Sequence, residues 1–394
     1  MTRNISRRTA LALTGAATLG IAGLSAPRRA KAADSIKIGA ALSLTGRFSD
    51  SAKYVREGYE LWAEQLNKAG GIKGSQVELV IYDDESNPDT ARVLAERLID
   101  RDKVALVLGP YSSPITDAMA TVMERSQVPM LGTIASDTSI WDRRKLKWTF
   151  QAFPSSNFDH EGFLNILKEK APGAKLAIVY EEAPFSIGAK NWAMEKAKEL
   201  GFTAEAYGYN PGNQDFRSII ERIVGSGATY VSMGGYYQPS IALTRQMVER
   251  GFNPAGYHFI QASDGVTKDA LGANAEGIFG RSSWEPGENT AGNAAFVEAY
   301  KAKFNRTPSY HSAAAYSTGQ VYQAALTAKG TDRAAMRDFI ATTKVPTITG
   351  TFGVDEAGRQ TGYRYIMIQW QNGQSKIVGG GSSTPIVWPK PAWK

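Results

Sequence analysis

Val104-Ala105-Leu106-Val107-Leu108 runs directly into Gly109-Pro110-Tyr111-Ser112-Ser113-Pro114. The first five residues are apolar on both faces, and such a run belongs in a parallel sheet covered by helices on both sides. Ser113 has the chemistry of an N-cap and Pro114 that of a first helical residue, whose missing N–H would have no partner anyway. A buried strand, a tight turn and a helix start in succession mark a doubly wound α/β unit.

The same alternation extends in both directions. Upstream, Ile36 to Leu42 and Val77 to Tyr82 read as strands. Between them Val55, Tyr59, Trp62 and Leu66 recur at helical spacing within Tyr54 to Ala69, and Gly70-Gly71 stops that helix. Thr90 to Ile99 and Pro114 to Arg125 read as helices, and Val128 to Leu131 as a strand. The pattern restarts near residue 158. Helices at Asp159 to Lys170, Gly188 to Leu200 and Phe216 to Val224 are interleaved with strands at Leu176 to Tyr180, Thr203 to Tyr207, Tyr230 to Met233 and Tyr257 to Gln261. Two further helices, Ala291 to Phe304 and His311 to Ala328, precede a β-rich tail in which Asn372-Gly373 is a hairpin turn. Phe150 to Ser156, Arg281 to Glu288 and Val345 to Gly350 read as extended crossings. The expected fold class is α/β, with two doubly wound parallel-sheet lobes joined by three hinge crossings. In such sheets ligands sit at the carboxyl ends of the strands, which places a site in the cleft between the lobes.

The first 32 residues predict export. Arg3, Arg7 and Arg8 precede an apolar run from Ala10 to Leu24, and Ala30-Lys31-Ala32 supplies the small residues of a cleavage site after Ala32. Ser6-Arg7-Arg8-Thr9-Ala10-Leu11 is similar to a twin-arginine signal, with Ala10 where Phe is usual; the general secretory route stays open. This leader carries six Lys or Arg and no acid, so its removal lowers the formal charge of the 394-residue chain from +7 to +1. A near-neutral chain has no electrostatic footprint for nucleic acid. There is no Cys, hence no disulfide framework and no thiolate metal site. After residue 32 no apolar run approaches the roughly 20 residues of a spanning helix.

Several blocks resemble the type I periplasmic solute-binding proteins of ABC transporters, the branched-chain amino acid (Leu/Ile/Val)-binding family. They are Ile36-Lys37-Ile38-Gly39 with Leu44-Thr45-Gly46, Asn67 to Gly74, Tyr82-Asp83-Asp84 with Asn87-Pro88, Gly109 to Ser113, Gly234-Gly235-Tyr236-Tyr237 and Ala262-Ser263-Asp264-Gly265. The resemblance implies a Venus flytrap with one lobe at 33–151 plus 287–347 and the other at 152–286 plus 348–394. It implies a monomeric periplasmic receptor, without cofactor, that delivers an amino acid to a permease in the inner membrane. The side chain of that amino acid is expected to be branched-chain or otherwise apolar. An aromatic or other carboxylate, or an amide, is the alternative ligand, and a secreted hydrolase the alternative class.

The resemblance also assigns ligand-binding residues. Ser113 would bind the carboxylate beside the positive end of a helix. Ile134, Ala135 and Ser136 would form a loop contacting carboxylate and ammonium, with Ser136 in place of the family's Thr. Tyr236 and Phe185 would be pocket aromatics, the two glycines before Tyr236 letting a ligand approach the backbone. Asp264 would pair the ammonium, one methylene shorter than the Glu of several members. Ser51 replaces a frequent pocket aromatic, while Phe48 and Trp141 read as lobe packing. Asp83-Asp84-Glu85 reads as a structural acidic turn, and His160, His258 and His311, lacking metal-ligand spacing, as single packing or surface residues. No Gly-x-Ser-x-Gly elbow, Ser-x-x-Lys or phosphate-binding loop is present, so no catalytic or metal residue is expected.

Overall fold

The computed structural model describes residues 35–362 and 364–394. The expected leader and its cleavage site lie outside the described residues. In chain order the elements of the first half are β1 (Ile36–Leu42), α1 (Ser49–Lys68), β2 (Val77–Asp83), α2 (Pro88–Asp100), β3 (Leu106–Leu108), α3 (Ser113–Ser126), β4 (Met130–Gly132), α4 (Ser139–Arg144) and β5 (Thr149–Gln151). Then come α5 (Glu161–Lys170), β6 (Lys175–Glu181), α6 (Pro184–Glu199), β7 (Thr203–Tyr209), α7 (Arg217–Ser226), β8 (Tyr230–Gly234), α8 (Tyr237–Glu249), β9 (Gly256–Phe259), α9 (Val266–Leu271) and β10 (Phe279–Ser282). The chain ends with α10 (Asn293–Phe304), α11 (Tyr310–Lys329), α12 (Arg333–Thr342), β11 (Val345–Thr347), β12 (Gly350–Phe352), β13 (Ile366–Gln371) and β14 (Gln374–Val378).

Two sheets organise these elements. The first has the order β2-β1-β3-β4-β5 and is parallel throughout. The second has the order β14-β13-β10-β9-β8-β6-β7, parallel from β7 to β10, with β13 and β14 antiparallel at one side. Each sheet contains a switch point, where the chain winds one way and then the other. In the first it lies between β1 and β3, in the second between β6 and β8. Crevices form at the carboxyl ends of strands that flank such points. The loops after β1, β3, β6 and β8 are therefore the positions that build a cleft.

Local chemistry explains several element ends. Asn87 caps α2 by accepting from the N–H groups of Asp89 and Thr90, with Pro88 at the first helical position. Ser309 and Ser312 form a capping box at α11. Asn372 and Gly373 both adopt positive φ, 53° and 71°, which is what a two-residue hairpin turn between β13 and β14 demands. In the first core α1 lies against α11 so closely that a Cβ on Gly319 would stand 2.3 Å from the Trp62 ring, so only glycine fits there.

Some expectations shift. α1 begins at Ser49 rather than Tyr54 because Phe48 donates its N–H to Ser86 Oγ, and that tertiary contact holds Ser49 to Ser51 in a helical turn. The crossing expected at Val345 to Gly350 folds instead as an antiparallel ribbon of β11 and β12, with Ile348 and Phe352 packed in the first core. Arg281 and Ser282 complete β10, so that crossing starts two residues later. Gly234 and Gly235 serve packing, not ligand approach: a Cβ there would meet His160 Nε2 at 2.9 Å and Tyr209 Oη at 2.1 Å.

Candidate ligand-binding cleft

Four aromatic rings converge from the four switch-point loops. Phe48 follows β1, Tyr111 follows β3, Phe185 opens α6 after β6, and Tyr236 follows β8. Tyr236 stands 4.6 Å from Phe48, 4.7 Å from Phe185 and 6.3 Å from Tyr111 between ring centroids. Phe48 is thus part of the aromatic seam between the two sheets, beyond the packing role expected of it. Polar contacts run along the same seam. Arg47 Nη1 reaches Glu181 Oε1 at 3.0 Å, and its guanidinium lies over the rings of Phe48 and Tyr236. Gln261 donates to Tyr111 Oη at 2.9 Å and accepts from Ser51 at 3.3 Å, so Ser51 contributes its hydroxyl where the family often carries a ring.

A cavity of about 30 Å³ lies beneath these rings. Ser113, Ile134 and Ser136 border it from the first-sheet side, Phe185 and Tyr236 from the second. Ala135 is fully buried behind the loop, and its carbonyl accepts from Gln151 at 3.2 Å. Asp264 does not border the cavity. It lies behind His311, whose Nδ1 is 3.1 Å from Asp264 Oδ2 without the alignment of a hydrogen bond. Five of the seven expected residues therefore meet at one cavity, and two stand one layer back. A larger hollow of about 1380 Å³ runs between α5, β13 and the Gly379–Ser383 turn. Glu161 and Lys268 on its wall are half-exposed, while burial pushes the Glu285 carboxyl on the same wall up to about 8.

Ser113 occupies an unexpected place. The N-cap of α3 is Ser112, and neither serine caps the helix with its side chain. Ser113 Oγ instead accepts from the N–H groups of Ser136 at 3.1 Å and Asp137 at 3.2 Å. With its lone pairs engaged, its O–H is left to donate, the polarity a carboxylate requires. The acidic turn is structural as expected: Asp83 accepts from the N–H groups of Leu44, Thr45 and Glu85, and buried Asp84 accepts from Ser43.

Sequence reasoning missed the polar floor of the cavity. Arg281 and Asp159, 3% and 1% exposed, pair at 2.8 Å, and both border the cavity with Tyr310 and His311. The guanidinium lies 5.3 Å from the Phe153 ring and 5.6 Å from Tyr310. Burial pushes the Asp159 carboxyl up to about 6, against the opposing pull of Arg281. A lone Arg in the buried strand β10, Phe279–Ser282, was the available signal, since an arginine there must find a partner. The histidines are likewise not single. His160 Nδ1 and His258 Nδ1 both meet Ser232 Oγ, at 2.7 and 2.8 Å, inside the second core. Burial, then the nearby Arg281 charge, lowers His160 to about 4, and burial lowers His258 well below the usual range.

The model of the periplasmic binding protein family matches residues 35–375. The chain belongs to that family. A Pseudomonas aeruginosa leucine-, isoleucine-, valine-, threonine- and alanine-binding protein is 27% identical over 369 residues, covering 90% of this chain and 94% of the relative. A Brucella suis Leu/Ile/Val-binding protein homolog is 28% identical, covering 92% and 94%. Among solved structures, the Streptococcus pneumoniae branched-chain amino acid transporter substrate binding protein LivJ in complex with isoleucine superposes with a TM-score of 0.80 at 22% identity, covering 87% of this chain and 99% of LivJ. A solute binding protein of an R. palustris ABC transporter in complex with benzoate gives 0.79 at 18% identity, covering 91% and 97%. This periplasmic binding protein is a solute-binding protein rather than an enzyme, and its place is extracytoplasmic. Among the described residues no helix is long and apolar enough to cross a membrane, and no cluster of His, Asp and Glu is arranged to hold a metal.

Proposed function

We propose that this periplasmic binding protein is the substrate-binding component of an ABC importer, working as a monomer, and that it captures an amino acid in the cleft. The observation that carries the reading is the meeting of both switch points at one cavity, with the Ser113 hydroxyl and the start of α3 on one side and an aromatic cover on the other. A carboxylate suits the hydroxyl and the helix start, and an aliphatic side chain suits the rings. Relatives named for leucine, isoleucine and valine support the ligand class. Aromatic carboxylates form the second reading, favoured by the aromatic walls themselves. The units built on the two sheets are the lobes of the trap, and the ligand closes them. After export, by the twin-arginine or the general secretory route, cleavage after Ala32 would leave a chain free to dock on its inner-membrane permease; intact mass of the exported protein tests the cleavage, and a chain retaining Arg28 and Arg29 would refute it.

A thermal-shift screen against the amino acids and aromatic acids tests the ligand class, since a ligand at about 100 times its Kd adds about 2.7 kcal/mol of stability. Within this reading Asp264, one layer behind the cavity beside His311, is the carboxylate that pairs the ammonium once the ligand rearranges this layer. Asp264→Asn is expected to cost about 2–5 kcal/mol of amino acid binding. Calorimetry that finds the variant within about threefold of the parent, well under the tenfold of 1.4 kcal/mol, would remove Asp264 from the site.

A further inference from the structure

Buried polar atoms without partners gather at this cavity. Among the described residues, Arg281 Nε and Nη1 make no hydrogen bond, and neither do Tyr236 Oη, His311 Nδ1 or the two carboxylate oxygens of Asp159. Each of these side chains borders the cavity and is less than a tenth exposed. Arg281 carries the largest demand. Its guanidinium offers five N–H groups, and the nearest carboxylate, Asp159, stands 2.8 Å from Nη2 as an ion pair without the alignment of a hydrogen bond. A buried charged donor left without an acceptor is costly, and the aromatic faces of Phe153 and Tyr310 do not replace a hydrogen-bond acceptor. The first-sheet side of the cavity offers no carboxylate to meet it: Ser113, Ile134, Ser136 and His311 border it there.

We infer that Arg281 is a second carboxylate-binding group of the cleft, reaching the ligand's anion from β10 while Ser113 reaches it from α3. Asp159 holds the guanidinium in place, and the arginine supplies charge-assisted hydrogen bonds that a neutral ligand group does not return. A ligand bound in this way links the two sheets through one anion, so that Arg281 sets both the selection for acids and the gain on closure. The inference rests on the cleft being the ligand site but not on the ligand being an amino acid, because a carboxylate is common to amino acids and aromatic acids.

The test uses two acid–amide pairs of matched shape: L-leucine with L-leucinamide, and benzoate with benzamide. Calorimetry on the purified protein should find the acid of at least one pair bound tenfold or more tighter than its amide. Arg281→Lys keeps a cation beside Asp159 but loses the planar fork, and the acid-to-amide ratio should fall at least fivefold while the melting temperature stays close to the parent's. A double variant, Asp159→Leu with Arg281→Met, removes the pair together and should lose the ratio as well. Equal weakening of acid and amide in these variants would mean that Arg281 only shapes the cavity, and overturns the inference. So would a parent that binds amides as tightly as acids, or neither acid at all. Binding of benzoate without leucine, with the ratio collapsing in Arg281→Lys, upholds Arg281 and overturns the amino acid reading alone.

Discussion

The two halves of the molecule share a topology and differ in what they bury. The sheet from β1 to β5 is enclosed by apolar side chains such as Val55, Trp62, Leu98 and Met119, all within a few per cent of full burial. Its buried polar groups are tied locally, as Asp84 is to Ser43 and Tyr59 to Gly109. The sheet from β6 to β14 buries ionisable groups in its centre: His160 and His258 joined through Ser232, and Arg281 with Asp159. The first half is stabilised chiefly by apolar area, an effect indifferent to pH, although it too buries carboxylates: burial raises Asp84 to about 6, and Glu57 is paired with Arg306. The second half places part of its stability in groups whose charge state decides whether they are tolerated.

That contrast can be broken most directly at Arg281. Arg281→Met alone leaves Asp159 buried without its cation and is expected to cost about 3–5 kcal/mol of stability at neutral pH. The double variant with Asp159→Leu should recover most of that loss, since well-packed apolar pairs replace buried ion pairs at little cost. Urea denaturation of both variants measures the difference; equal destabilisation would mean that the pair is tolerated only as shape.

Acid should separate the halves next. His160 titrates near 4 when folded, below its unfolded value of about 6.5. The unfolded chain therefore takes up a proton first as pH falls, and stability present above pH 6.5 is lost down to about pH 4, by about 3 kcal/mol. His258 has the same sign. Asp159, raised to about 6, has the opposite sign, because the folded state binds its proton first. His160→Gln keeps Asp159 and should flatten the pH dependence between 6.5 and 4 by the His160 share. Trp62→Ala, in the first core, should lower stability by about 3–5 kcal/mol with little change in that slope. A His160→Gln slope identical to the parent's would show that the ring does not titrate with unfolding.

The smallest effect is expected at the seam. Arg47, about a third exposed, bridges to fully buried Glu181 across the two sheets. Arg47→Gln should cost about 1–2 kcal/mol in stability, less than the loss at Arg281 because Arg47 is partly solvated and Tyr209 Oη still reaches Glu181 at 3.5 Å. Burial already raises Glu181, with Arg47 opposing, so the variant should raise it further. Titration of Glu181 by NMR in both proteins checks the direction.

Apolar runs and helical periodicity made most strands of both sheets legible, though not β5 and β10, which lay where extended crossings were expected, and Asn372-Gly373 marked its hairpin, because these signals depend only on neighbours along the chain. Ser113, Ser136, Phe185 and Tyr236 were named by the family resemblance, and the structure brings them to one cavity at the loops after parallel strands. Other features depended on residues far apart in sequence. Arg281 and Asp159 are separated by 122 positions, and no periodicity links them. Ser113 has the chemistry of a helix cap, and only the approach of Ser136 and Asp137 turns its hydroxyl toward another task. The glycines before Tyr236 suggested room for a ligand, yet His160 and Tyr209 fill it. Local propensity and burial pattern are properties of a segment, so the sequence by itself determined the elements and their order. Which charges face one another, and which donors remain without acceptors, is set by the packing of distant segments, and only the tertiary structure decided it.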